Sequence, residues 1–118
     1  MDIEYLREYC LALDRVVEKT PFGKFSPKFD SVLVFYICGH MFCMFDIDRF
    51  TGVTVKGEPE RIARLHETRS SCSAHRNMNA RYWIELRFGG DIPDSEILEM
   101  IRRSYDIVKT KYSRNRKK

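Results

Sequence analysis

His75-Arg76-Asn77-Met78-Asn79-Ala80-Arg81-Tyr82-Trp83 is a polar, irregular stretch that holds the only tryptophan of a 118-residue chain. It runs straight into Ile84-Glu85-Leu86-Arg87-Phe88. From Tyr82 to Phe88 the residues alternate, with Ile84, Leu86 and Phe88 on one face and Trp83, Glu85 and Arg87 on the other, which is the period of a half-buried strand. Asn77 and Asn79 favour turns over regular ladders, so the stretch reads as a turn region that delivers an aromatic and several arginines to the start of a strand. A short strand over Ser73 to Arg76 is expected just before it.

Outward from this strand, Gly89-Gly90-Asp91 is a turn, and Pro93-Asp94-Ser95-Glu96 opens a last helix with acids in its first turn. Ile97, Ile101, Val108 and Tyr112 form its stripe, which predicts a helix over 93–112. Upstream, Pro59 opens a helix that carries Ile62 and Leu65 inward as far as Glu67. Before it lie three strands, 31–38, 41–47 and 51–56, joined by the short breaks Gly39-His40 and Asp48-Arg49-Phe50, the pattern of an antiparallel meander. The first residues, with Ile3, Leu6, Cys10, Leu13 and Val17 at three- and four-residue steps, predict one amphipathic helix from Asp2 to Lys19. Asp2 is its cap, and Thr20-Pro21-Phe22-Gly23 its end. Gly23 to Asp30 reads as a connecting loop. The expected core unites Leu6, Leu13, Ile84, Leu86, Ile97 and Ile101.

The elements run α-β-β-β-α-(β)-β-α, which is an α+β fold: a two-layer α/β sandwich with helices on one side of an antiparallel sheet. The first two strands are apolar on both faces, Leu33, Phe35 and Ile37 pointing one way and Val34, Tyr36 and Cys38 the other. Helices cover one face of such a sheet, so the second face is expected to meet a ligand, a protein partner, a second copy of the chain or the C-terminal tail.

The net charge of +4 is not spread evenly. Lys109, Lys111, Arg114, Arg116, Lys117 and Lys118 put six cations in the last ten residues, leaving −2 on the rest. The expected division is one domain over 1–108 followed by a basic tail over 109–118. No apolar run approaches the roughly 18 residues of a membrane span, and Met1-Asp2-Ile3-Glu4 lacks the apolar core of a signal peptide. The expected location is the cytoplasm. Cys10, Cys38, Cys43 and Cys72 form no CxxC pair and read as free thiols. His40, His66 and His75 share no spacing suited to a metal, and Asp46 and Asp48 read as turn formers. Glu4, Glu8 and Glu18 are interleaved with Arg7, Arg15 and Lys19, which argues against an acidic metal-binding ridge. No nucleophile triad, P-loop or dinucleotide fingerprint is present. The expectation is a non-enzymatic protein with no cofactor and no metal.

Several pieces, in order, resemble the MmcQ/YjbR family of small bacterial proteins along nearly the whole chain. They are Leu6-Arg7-Glu8-Tyr9-Cys10, Pro21-Phe22-Gly23, Gly39-His40-Met41-Phe42, Pro59-Glu60-Arg61, Met78-Asn79 with Trp83, Ile92-Pro93-Asp94 and Ser104-Tyr105. Asn77, Ala80 and Tyr82 stand where that family usually carries His, Lys and His. The resemblance implies the order α-β(3)-α-β(2)-α, similar to frataxin-like and secretion-chaperone folds, and a label of DNA binding derived from a double-wing fold. The residues that would serve DNA are Arg76, Asn79, Arg81, Trp83 and Arg87, with Lys109, Lys111, Arg114 and Arg116 of the tail, since Arg forks onto phosphate and an aromatic stacks on bases. The reading taken forward is a DNA-binding protein whose contacts are mainly to the phosphate backbone. The alternative is a protein-interaction or small-ligand module that uses the open sheet face. Where the positive charge sits on the folded body separates the two.

Overall fold

Asp2 caps the first helix as its sequence predicts, accepting the Tyr5 N–H on Oδ1 at 2.8 Å. This α1 spans Ile3–Leu11 and buries Leu6 and Cys10. The computed structural model of the chain describes residues 1–21 and 31–116, with side chains up to residue 113. The expected loop over Gly23–Asp30 and the cations Lys117 and Lys118 lie outside the described residues.

The single helix expected over 2–19 is corrected here. Ala12 ends α1, and Arg15 sits at φ 63, in the left-handed region that no right-handed helix continues. The chain reverses, and Val17–Lys19 forms a strand, β1, instead of two more helical turns. Val17 is therefore exposed, and Leu13 is half-buried against the core rather than within it.

The other strands follow the expected pattern with ends moved by a residue or so. They are β2 (Val32–Ile37), β3 (His40–Asp46) and β4 (Gly52–Lys56), then β5 (Cys72–Ser73) and β6 (Trp83–Arg87). The weak strand before Trp83 exists but lies slightly upstream of Ser73–Arg76. All neighbours pair antiparallel in the order β1-β2-β3-β4-β6-β5. The β2–β3 turn is Cys38-Gly39, one residue earlier than expected. Both residues have positive φ, 55 and 78, as the tightest hairpin turns require. The register slips between Phe35 and Tyr36, whose partners are Cys43 and Met41. Phe42 is the extra residue, and the bulge lets Phe42 and Cys43 both enter the core although they are sequence neighbours. Gly52 is required where β4 crosses β6, because a Cβ there would sit 2.6 Å from the Leu86 carbonyl oxygen.

α2 spans Pro59–Thr68, and α3 runs Asp94–Arg116, past the end expected at 112 and through the charge run. Leu6, Ile62, Leu65, Ile97, Ile101 and Val108 of the helices join Phe35, Cys43, Val55, Ile84 and Leu86 of the sheet in one core. All three helices thus cover one face, giving the expected α+β two-layer arrangement. Ser104 ties α3 to the sheet: its buried hydroxyl donates to the Phe42 carbonyl at 2.5 Å and accepts the Lys56 N–H at 2.9 Å. Val34 and Met44 are also buried but stand outside that core, on the opposite face.

Candidate functional site: the open face of the sheet

Strand register places one row of side chains across the uncovered face. Lys19 pairs with Val34, Val34 with Met44, Met44 with Thr54, Thr54 with Glu85, and Glu85 with Ser73. Period-two alternation puts Val32, Lys56, Trp83 and Arg87 on this face as well. The face therefore has two parts, an apolar centre over β2–β4 and a cationic, aromatic strip along β4 and β6.

The centre is a partly enclosed cavity of ≈ 580 Å³. Val32, Met44 and Thr54 line its floor, and Glu85 one wall. Asp46, Arg49 and Thr51 of the β3–β4 turn bound one side, and His75, Asn77 and Met78 bound another. Each wall has a local cause. Asp46 Oδ1 accepts from Ser31 Oγ at 2.8 Å and from the N–H groups of Asp48 and Arg49 at 2.9 and 3.2 Å, closing the turn. Burial alone would push the Asp46 carboxyl up. The hydrogen bonds from Ser31, Asp48 and Arg49, with the charge of Arg49, outweigh it and hold the pKa below the usual carboxylate value. Phe50 clips the same turn to the sheet, its ring 5.4 Å from Phe45 and 4.7 Å from Phe88.

The 75–83 stretch is a pair of turns. Met78 N–H donates to the His75 carbonyl at 3.1 Å, and the N–H groups of Tyr82 and Trp83 both donate to the Asn79 carbonyl. Asn77 N–H donates to His75 Nδ1 at 3.2 Å. Asn79 Oδ1 accepts the Arg81 N–H at 3.0 Å. Its side-chain oxygen thus holds the turn that carries Arg81.

Of the residues expected to serve DNA, Arg76, Asn79 and Arg81 are exposed on this loop, Trp83 is half-buried, and Arg87 is exposed on β6. Lys56, not singled out in the sequence, joins them, with Nζ 5.8 Å from the Trp83 ring centre. Lys109 and Lys111 stand elsewhere. They belong to α3, on the covered face, and lie 5.5 Å over Tyr105 and 5.3 Å over Tyr112. Arg114 and Arg116 continue the same helix, and their side chains are outside the described residues. The two groups therefore sit on opposite layers. Three helix-layer arginines are paired with acids, Arg61 with Glu99, Arg69 with Glu96 and Arg103 with Glu58, while Arg64 of α2 is not paired among the described residues. Among the described residues, Lys56, Arg76, Arg81 and Arg87 make no ion pair. The body's −2 is thus compatible with a locally cationic strip.

The cavity residues were missed as a set. The one sequence signal for them was the two-sided apolarity of β2 and β3. Among the described residues no group of three or more His, Cys, Asp or Glu side chains is placed to hold a metal ion, and no helix is long and apolar enough to cross a membrane.

Comparison with known proteins gives a consistent picture. The YjbR family model matches residues 11–107. The Deinococcus radiodurans protein DR2400, of domain family DUF419, shares 26% identity at a TM-score of 0.80, over 92% of this chain and 78% of that one. A Pseudomonas syringae protein has the same fold at 17% identity, with TM-scores of 0.72 for its crystal structure and 0.67 for its solution structure; 92% of this chain is covered in both, against 99% and 93% of the other. No curated protein matches the chain.

Proposed function

The chain belongs to the YjbR family, and on the fold and open sheet face described above we propose that it is a non-enzymatic, cytoplasmic binding protein that holds a small molecule in the cavity of that face. One observation carries this reading. A cavity of ≈ 580 Å³ combines an apolar floor with a few polar groups from separate segments, which is the make-up of a small-molecule site, for which volumes of roughly 300–1,000 Å³ are usual. A thermal-shift screen of apolar and amphipathic fragments on the full chain tests it. Fragments that raise the melting temperature of the wild type should lose their effect on Met78→Trp, which fills the mouth from the loop. A screen without stabilising fragments, or hits that act equally on Met78→Trp, would remove this reading.

A second reading is favoured by the unpaired cations around Trp83. Lys56, Arg81 and Arg87 are suited to a nucleic-acid phosphate backbone, with Trp83 available for stacking. Asn79 is engaged in its own turn, so such binding would be electrostatic and weakly sequence-specific. If neither a small molecule nor DNA binds, a protein partner on the open face is the remaining occupant.

A further inference from the structure

We propose that the cavity takes a small organic cation with an apolar body, with the carboxylate of Glu85 as its counter-charge; this rests on the small-molecule reading above. Glu85 projects from the middle of β6, is half-buried, and lies directly across from Thr54. Among the described residues it makes no side-chain hydrogen bond and no ion pair. Its carboxylate is therefore free to take a bound cation as its partner. The other charges of the cavity do not supply that partner. Asp46 is a second carboxylate whose Oδ1 is already occupied by three donors. Arg49 is the one guanidinium lining the cavity; it is exposed, its backbone N–H donates to Asp46, and its charge helps to hold the Asp46 pKa down. His75 has its Nδ1 engaged by the Asn77 N–H. Two carboxylates against one guanidinium make the cavity lining itself net acidic, beside the cationic strip of Lys56 and Arg87.

The apolar part of the ligand follows from the floor. Met41, Met44 and Met78 line the cavity, and thioether side chains are polarisable and reshape around varied apolar bodies. A metal ion is a poorer match, since no cluster of three ligating side chains occurs among the described residues. The site thus asks for an amine or guanidinium group on a hydrocarbon or aromatic frame.

Three probes of matched shape test this on the full-length chain: phenylbutylamine, phenylbutanol and phenylbutyrate, with affinities measured by calorimetry. The amine should bind at least about ten-fold more tightly than the alcohol, and the carboxylate weakest. Glu85→Gln should abolish the preference for the amine and leave the affinity for the alcohol unchanged. Equal affinities in the wild type, or tightest binding of the carboxylate, overturn the charge assignment and leave the small-molecule reading standing. Binding of none of the three also overturns it, and the fragment screen then decides the broader reading separately. An amine preference that survives in Glu85→Gln places the counter-charge elsewhere and overturns the role of Glu85.

Discussion

Asp91 is exposed, yet its carboxylate accepts from Ser70 N at 2.8 Å, Ser70 Oγ at 3.2 Å, Ser71 N at 3.0 Å and Ser71 Oγ at 2.5 Å. It fixes the start of β5 to the turn before α3, and Gly90 must lack a Cβ because one would collide with the Ser71 side chain. The hydrogen bond from the Ser71 hydroxyl, then those from the backbone of Ser70 and Ser71, hold the Asp91 pKa far below its ordinary 3.8. A carboxylate depressed in the folded state stabilises fully above the unfolded pKa and loses that contribution as pH falls towards the folded one. Asp91→Asn should therefore be less stable than the wild type in denaturant melts at neutral pH, and the gap should narrow steadily below about pH 4. A gap that is constant with pH would show that the carboxylate's charge is not what holds the turn. Nothing in the sequence distinguished Asp91 from any other turn aspartate, since its four donors lie some twenty residues earlier in the chain.

At the scale of elements, α2, α3 and the strands β2, β3, β4 and β6 were legible because each carries its own period and its own stop signals. The end of α1 was not. Val17 extends the apolar stripe of that helix by the right step, so periodicity alone continues it. What stops it is a left-handed Arg15, a residue type that gives no warning of that conformation. Arg15→Gly separates the two descriptions by sign. In a continuous helix it would cost about 1 kcal/mol. In the observed turn it should instead be neutral or stabilise by up to about 1 kcal/mol, because glycine carries no penalty at positive φ. Urea melts of the two proteins decide between them. The run into Arg116 has a similar origin: six cations and no acid over 109–118 read as a tail, but none of those residue types breaks a helix.

Across the whole molecule, charge and apolar surface are sorted between the two faces of the sheet. Arg61, Arg69 and Arg103 of the helix layer are paired with acids, the β4–β6 strip is cationic, and the apolar cavity lies beside it. This sorting was invisible in sequence because the cavity walls come from four separated segments, near 32, 41–54, 75–78 and 85, that only strand order brings together. The same sorting makes the nucleic-acid reading testable. If DNA binds across the β4–β6 strip, Arg87→Ala should lower the salt dependence of binding by about one phosphate contact, a slope of roughly 0.9. Deleting 109–118, which removes the end of α3 on the other layer, should then leave most of that slope in place. The opposite result, with the slope lost on deletion and unchanged in Arg87→Ala, would assign any DNA contact to α3.

The open sheet face as the ligand-holding face is tested most directly by methyl NMR of the methionines in the full chain, titrated with phenylbutanol. Met41, Met44 and Met78 line the cavity, whereas Met100 is buried in the helix-covered core. The account predicts saturable shifts for the methyl groups of Met41, Met44 and Met78 with Met100 unmoved. Shifts confined to Met100, or no saturable shift at any of the three cavity methionines, would contradict it.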